Sequence, residues 1–177
     1  MMQAPLALSQ PRRRRPSGPL LALGLALALT AGLARADAHA EVQQLVRTGQ
    51  HAQAMTLVER QLAARPRDPQ LRFLKGVIQT ETGQAVEALA TFTRLTEDYP
   101  ELPEPYNNLA ALQAAQGRLD EARQSLEMAI QLKPGYATAH ENLGDIQARL
   151  AAQAWSRAQQ LEPANPRVAP KLSALRS

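Results

Sequence analysis

The chain has 177 residues, no cysteine, 3% aromatic residues and a formal net charge of +4. That leaves room for one modest domain and excludes a disulfide framework and a thiolate metal site. Alanine, leucine and glutamine dominate over β-branched and aromatic residues, a composition that favours an all-α protein.

The N-terminal segment reads first. A basic run, Arg12 to Arg15, precedes an apolar stretch from Leu20 to Leu33 and the small residues Ala34 and Ala36 around Arg35. In that order these features predict a secretory signal peptide over residues 1–36, cleaved after Ala36, with Ala38-His39-Ala40 as a second site. The apolar stretch is shorter than the roughly 18–20 residues of a spanning helix. Cleavage is therefore expected, with no membrane insertion afterwards; the alternative is an uncleaved anchor in the inner membrane. The leader holds five of the twenty basic residues and no acidic one, which leaves fifteen basic against sixteen acidic residues in the mature chain. The basic footprint of a nucleic-acid binder disappears with the leader. A periplasmic or secreted protein without a nucleic-acid partner is expected.

From residue 37 the chain repeats itself. Pro66, Pro100 and Pro134 stand 34 residues apart, and Gly49, Gly83 and Gly117 each precede their Pro by seventeen. Between them recur Ala54, Ala88 and Ala122, each followed four residues later by Val58, Phe92 or Leu126. The units are 37–68, 69–102, 103–136 and a truncated 137–163. Each Gly suits the left-handed end of a first helix, Asp120 and Glu121 suit the first turn of a second, and each Pro ends that second helix. Gly76, Ala88, Ala110, Ala122 and Gly144 are small enough for two helices to approach closely. Leu109, Leu112, Leu126 and Ile130 recur at helical spacing and supply a buried face. One such hairpin cannot bury its own apolar side, so the hairpins must stack.

The fourth unit is short. Pro134 and Pro163 are 29 residues apart, five fewer than the period, and no Gly, Pro or Asn lies between Asp145 and Gln160. Ala139, Leu143, Ile146, Leu150, Ala154 and Leu161 form one stripe at 100° per residue. The two helices of this unit are expected to be fused into one, about 36 Å long from Ala137 to Gln160. Residues 164–177 are expected to form a C-terminal tail or capping helix that folds over the open end through Val168, Leu172 and Leu175, with Trp155 as a core lid. The alternative leaves Trp155 and Ala158 as a partner or dimer surface.

Tyr106, Leu109, Ala110, Gly117, Ala122, Leu126, Ala129 and Pro134, on a 34-residue period, resemble the tetratricopeptide repeat. The resemblance covers the chain from residue 37 to Pro163 and is to an exported bacterial type. It implies an all-α, right-handed α-solenoid of about three and a half helical hairpins. It also implies a concave groove lined by the first helix of each hairpin, which would include Gln43, Arg47, Phe73, Val77, Thr80, Asn107, Ala111, Glu141, Asp145 and Arg149. Asn108 and Asn142 match an Asn that grips peptide carboxylates in some members. Phe73 and Asn107 stand where a carboxylate clamp requires cations, so an extended or helical segment with apolar character is the expected ligand.

His39, His51 and His140 form no ligand pattern, and the glycines form no phosphate loop. No Ser or Thr has a His/Asp setting. No catalytic residue, metal or cofactor is expected. The expected function is a non-enzymatic scaffold in the cell envelope that binds a protein or peptide partner. The alternative is a membrane-anchored assembly factor or an accessory subunit of an envelope enzyme complex.

Overall fold

The computed structural model describes residues 39–175; the expected leader and its cleavage sites lie outside the described residues. Three helical hairpins follow one another: α1 (residues 39–47) with α2 (His51–Ala64), α3 (Pro69–Glu81) with α4 (Ala85–Asp98), and α5 (Pro103–Ala115) with α6 (Leu119–Leu132). A single 25-residue helix, α7 (Ala137–Leu161), and a short α8 (Val168–Ala174) complete a right-handed α-solenoid. No strand occurs among the described residues.

The turns inside the hairpins come from one glycine each. Gly49, Gly83 and Gly117 have φ of 72°, 75° and 76°, a conformation that costs a residue with a Cβ roughly 1–2 kcal/mol. The orphan carbonyls at each first-helix end are closed by the same pair of bonds. In α3, Gln84 N donates to Gln79 O at 2.8 Å and Gly83 N to Thr80 O at 3.1 Å, the Schellman arrangement. Helix starts are set by proline at the first turn of α3 and α5 and by Asp68, whose carboxylate accepts from Leu71 N at 3.1 Å.

Each second helix is buried between its own first helix and the next one. Ala54, Leu57 and Val58 of α2 share a cluster with Val42 of α1 and with Leu71, Leu74 and Ile78 of α3. Ala88 and Phe92 of α4 meet Leu109 and Leu112 of α5. Ala122, Leu126 and Ala129 of α6 meet Ala110 and Ala114 behind them and Ala139 and Ile146 of α7 ahead.

The fourth unit departs from this pattern. Ala151 stands 34 residues after Gly117, where the turn would be, and the helix runs through it without a break for about 37 Å. The first half of α7 is packed: Ala139 and Ile146 are buried, with Leu143 and Leu150 against the same cluster. Beyond Leu150 the stripe loses its cover, since Ala154 is exposed and Leu161 is 70% exposed. Gly144, expected at a helix–helix contact, faces nothing within 4 Å of an added Cβ, because the helix that would fold back over it continues straight on.

The tail folds onto α7. Val168 is buried, and Lys171 Nζ lies 5.5 Å from the centre of the half-buried Trp155 ring. Helix α8 follows the register of a first helix: Pro166 comes three residues after Pro163, as Pro69 follows Pro66 and Pro103 follows Pro100. Val168 takes the place that Leu71, Pro105 and Ala139 fill in the preceding first helices, each of them buried. That proline spacing is the signal by which the sequence could have shown α8 to be a capping first helix.

Candidate functional site

The first helices lie side by side, and two cavities open between them. One, of about 280 Å³, lies between the starts of α3 and α5 and is lined by Pro69, Gln70, Phe73, Leu102, Glu104 and Pro105. The other, of about 150 Å³, lies between α5 and α7. Ala110, Ala111, Ala114 and Ile146 wall it, with Asn142, Asp145 and Arg149 around them.

The expected groove residues divide into those left free and those already engaged. Phe73 is half-buried: its ring meets Phe92 edge-on, centroids 5.7 Å apart at 61°, while the rest faces the first cavity. Val77 packs partly onto the Phe92 cluster. Thr80 is exposed, but its hydroxyl donates back to Gly76 O at 2.9 Å. Ala111 is exposed at the rim of the second cavity, and Glu141 and Asp145 are exposed on one face of α7. On α1, Arg47 donates to Gln44 Oε1 at 2.7 Å, beside the half-buried Gln43.

The asparagines and Arg149 link the framework. Asn107 is only 8% exposed, and its Oδ1 accepts from Asn142 Nδ2 at 2.9 Å across the α5–α7 boundary. Asn108 donates its amide to Glu104 O in its own helix at 2.9 Å. Arg149 Nη2 donates to Ala114 O at 3.0 Å, a second bond to a carbonyl that already accepts from Gly117 N. All four side chains are bonded within the chain, and Asn108 and Asn142 each commit one amide N–H to it.

The histidines also serve as links. His39 Nε2 meets Asp68 Oδ2 at 3.0 Å, His51 lies 3.4 Å from Glu81, and His140 meets Pro134 O at 2.8 Å. Burial alone would raise the Asp68 carboxyl. The Leu71 N–H, the bond and charge of His39 and the charge of Arg65 outweigh it and hold the carboxyl below its ordinary range. Tyr136 is pushed above the ordinary phenol value by burial and then by Glu104, against the opposing charge of Lys133. A second polar motif repeats with the same period. Thr91 Oγ1 donates to Gln79 Oε1 at 2.7 Å and Ser125 Oγ to Gln113 Oε1 at 2.8 Å, the same pair one period apart.

Stacked hairpins with left-handed Gly turns and a groove between their first helices define a helical-repeat solenoid. The chain belongs to the tetratricopeptide-repeat family: the family described as "Tetratricopeptide repeat" matches residues 45–114 and that described as "TPR repeat" matches residues 114–150. A curated relative, the TPR repeat-containing thioredoxin TTL4 of Arabidopsis thaliana, is 32% identical over 138 residues, or 76% of this chain. The chain spans 20% of that relative's length, and with no cysteine it has no thiol for redox chemistry. Among solved structures, the first TPR of Spaghetti (RPAP3) bound to the HSP90 peptide SRMEEVD is similar, with a TM-score of 0.60 and 18% identity. The likeness covers 64% of this chain and 90% of that one. TTC0263, a thermophilic TPR protein in Thermus thermophilus, gives a TM-score of 0.59 at 24% identity, covering 78% and 79%.

Proposed function

We propose that the protein is a non-enzymatic interaction scaffold that binds a segment of a partner protein in the groove between α3, α5 and α7. The observation that carries this reading is the half-buried Phe73 ring, open to a cavity whose other walls are Pro69, Leu102 and Pro105. An apolar pocket with a few polar groups at its edge suits a side-chain anchor. The likeness to a TPR domain bound to SRMEEVD supports a peptide ligand. The ligand here differs in kind, because Phe73 and Asn107 replace the cations that a terminal carboxylate would need.

Site-specific photo-crosslinking tests the groove. A crosslinker at the exposed Ala111 should capture a discrete partner, and one at the exposed Gln124 of α6 should not; equal capture from both positions would refute the groove as the binding face.

The proposed setting is the cell envelope after removal of the leader. Intact mass of exported protein should place the N-terminus at Asp37 or Glu41; a species retaining Arg12 to Arg15 would support the anchored alternative. A second copy could pair through the projecting half of α7, where Leu161 is 70% exposed. In that case light scattering shows a dimer that Leu161→Glu dissolves.

A further inference from the structure

We infer that the segment seated in this groove is cationic, placing a lysine or arginine beside Glu141 and Asp145 while a neighbouring apolar side chain enters the cavity between α5 and α7. The inference rests on the groove reading above and adds the chemistry of the ligand. The cavity supplies the apolar part of the argument. Its walls are Ala110, Ala111, Ala114 and Ile146, and its volume of about 150 Å³ is enough for a group of benzene's size.

Charge supplies the rest. Glu141 and Asp145 are four residues apart, so their carboxylates share one face of α7, and Asp145 lines the cavity itself. Both are exposed, and among the described residues neither has a hydrogen bond or an ion pair. Of the cations nearby, Arg149 lines the cavity and keeps its charge while bonded to Ala114 O, and Lys133 is paired with Glu104 at 3.3 Å with its Nζ 4.8 Å from the Tyr136 ring centre. The two free carboxylates therefore outnumber the one cation without an acidic partner. Further along the groove, α3 contributes the uncharged Gln70, Phe73, Val77 and Thr80, and α1 contributes Arg47, which donates to Gln44 Oε1. Like charges one turn apart repel, and an incoming ammonium or guanidinium relieves that repulsion, whereas an acidic segment adds to it. Complementarity of this kind selects partners more than it adds raw affinity.

The test uses the purified protein and two capped, fluorescein-labelled peptides, AKLAKLAKA and AELAELAEA, read by anisotropy. The lysine peptide should bind about five- to tenfold more tightly, the preference expected of two solvent-exposed ion pairs. Glu141→Gln with Asp145→Asn should remove that preference, and Ala111→Leu, which fills the cavity mouth, should weaken the lysine peptide severalfold. Equal or tighter binding of the glutamate peptide, sensitive to Ala111→Leu, overturns the cationic inference and leaves the groove reading standing. Lysine-peptide binding indifferent to Ala111→Leu is charge attraction outside the groove and also overturns it. No binding of the lysine peptide at about 1 mM does so too, and the Ala111 crosslink then decides the groove reading by itself.

Discussion

Phe92 packs its ring tip against the backbone of Gly76: a Cβ added there would sit 2.7 Å from Phe92 Cζ and 2.8 Å from Cε1. Phe92 is fully buried, so the ring cannot swing aside. Gly144, two periods later, meets nothing within 4 Å. The two glycines hold the same repeat position in opposite surroundings. Gly76→Ala should destabilise, because overpacking costs about 1–3 kcal/mol against a helix-propensity gain of about 1 kcal/mol. Gly144→Ala should stabilise by roughly 0.5–1 kcal/mol. Urea midpoints at unchanged m decide it; a loss at both positions would mean that a helix does cover Gly144.

Ala122 is fully buried between α5 and α6, whereas Ala115 is exposed at the end of α5. Ala122→Leu should cost about 1–3 kcal/mol by overpacking, and Ala115→Leu should stay within about 0.5 kcal/mol. Equal shifts in the denaturation midpoint would show that the faces of the hairpin are misassigned.

The Asn107–Asn142 bond is buried at its acceptor end. Asn142→Leu should destabilise by about 1–3 kcal/mol, since it strips a buried carbonyl of its donor. Adding Asn107→Leu should recover part of that loss, because two apolar partners leave no unsatisfied group. Strictly additive losses in the double-mutant cycle would mean that the pair is not coupled.

Asp68 ties three elements together, accepting from Leu71 N at the start of α3 and pairing with His39 of α1 and with Arg65 at the end of α2. Its folded-state pKa is depressed below the ordinary value of 3.8. Its contribution is therefore fully present above the unfolded value and is lost as pH falls through the lower folded value. Asp68→Asn should flatten the acid limb of the stability–pH curve at and below about pH 4. An unchanged limb, from midpoints measured between about pH 2 and 7, would remove Asp68 from the acid response.

Continuity of α7 is testable at Ala151. Proline there lacks the amide and clashes with the preceding turn, so Ala151→Pro should cost about 3 kcal/mol or more. Amides of Leu150 to Ala154 should exchange as slowly as that of Ile146. A gap in protection at 150–153 would indicate a hidden turn.

What the sequence determined by itself is what local rules decide. The 34-residue period, the three Gly turns, the proline ends and the unbroken run from Ala137 follow from φ limits, missing amides and helix propensity, each acting within a few residues of chain. The all-α solenoid follows from them, because amphipathic hairpins of this kind must stack. Tertiary structure decided which polar side chains remain free. Asn142 reaches Asn107 and Arg149 reaches Ala114 across 35 residues of chain, and His39 reaches Asp68 across 29. A side chain of a given type serves a neighbouring helix or a ligand according to helix separations that packing alone sets. The same applies to Gly144 and Leu161, whose residue types fit a packed hairpin; only the course of α7, running straight past the point of return, leaves them uncovered.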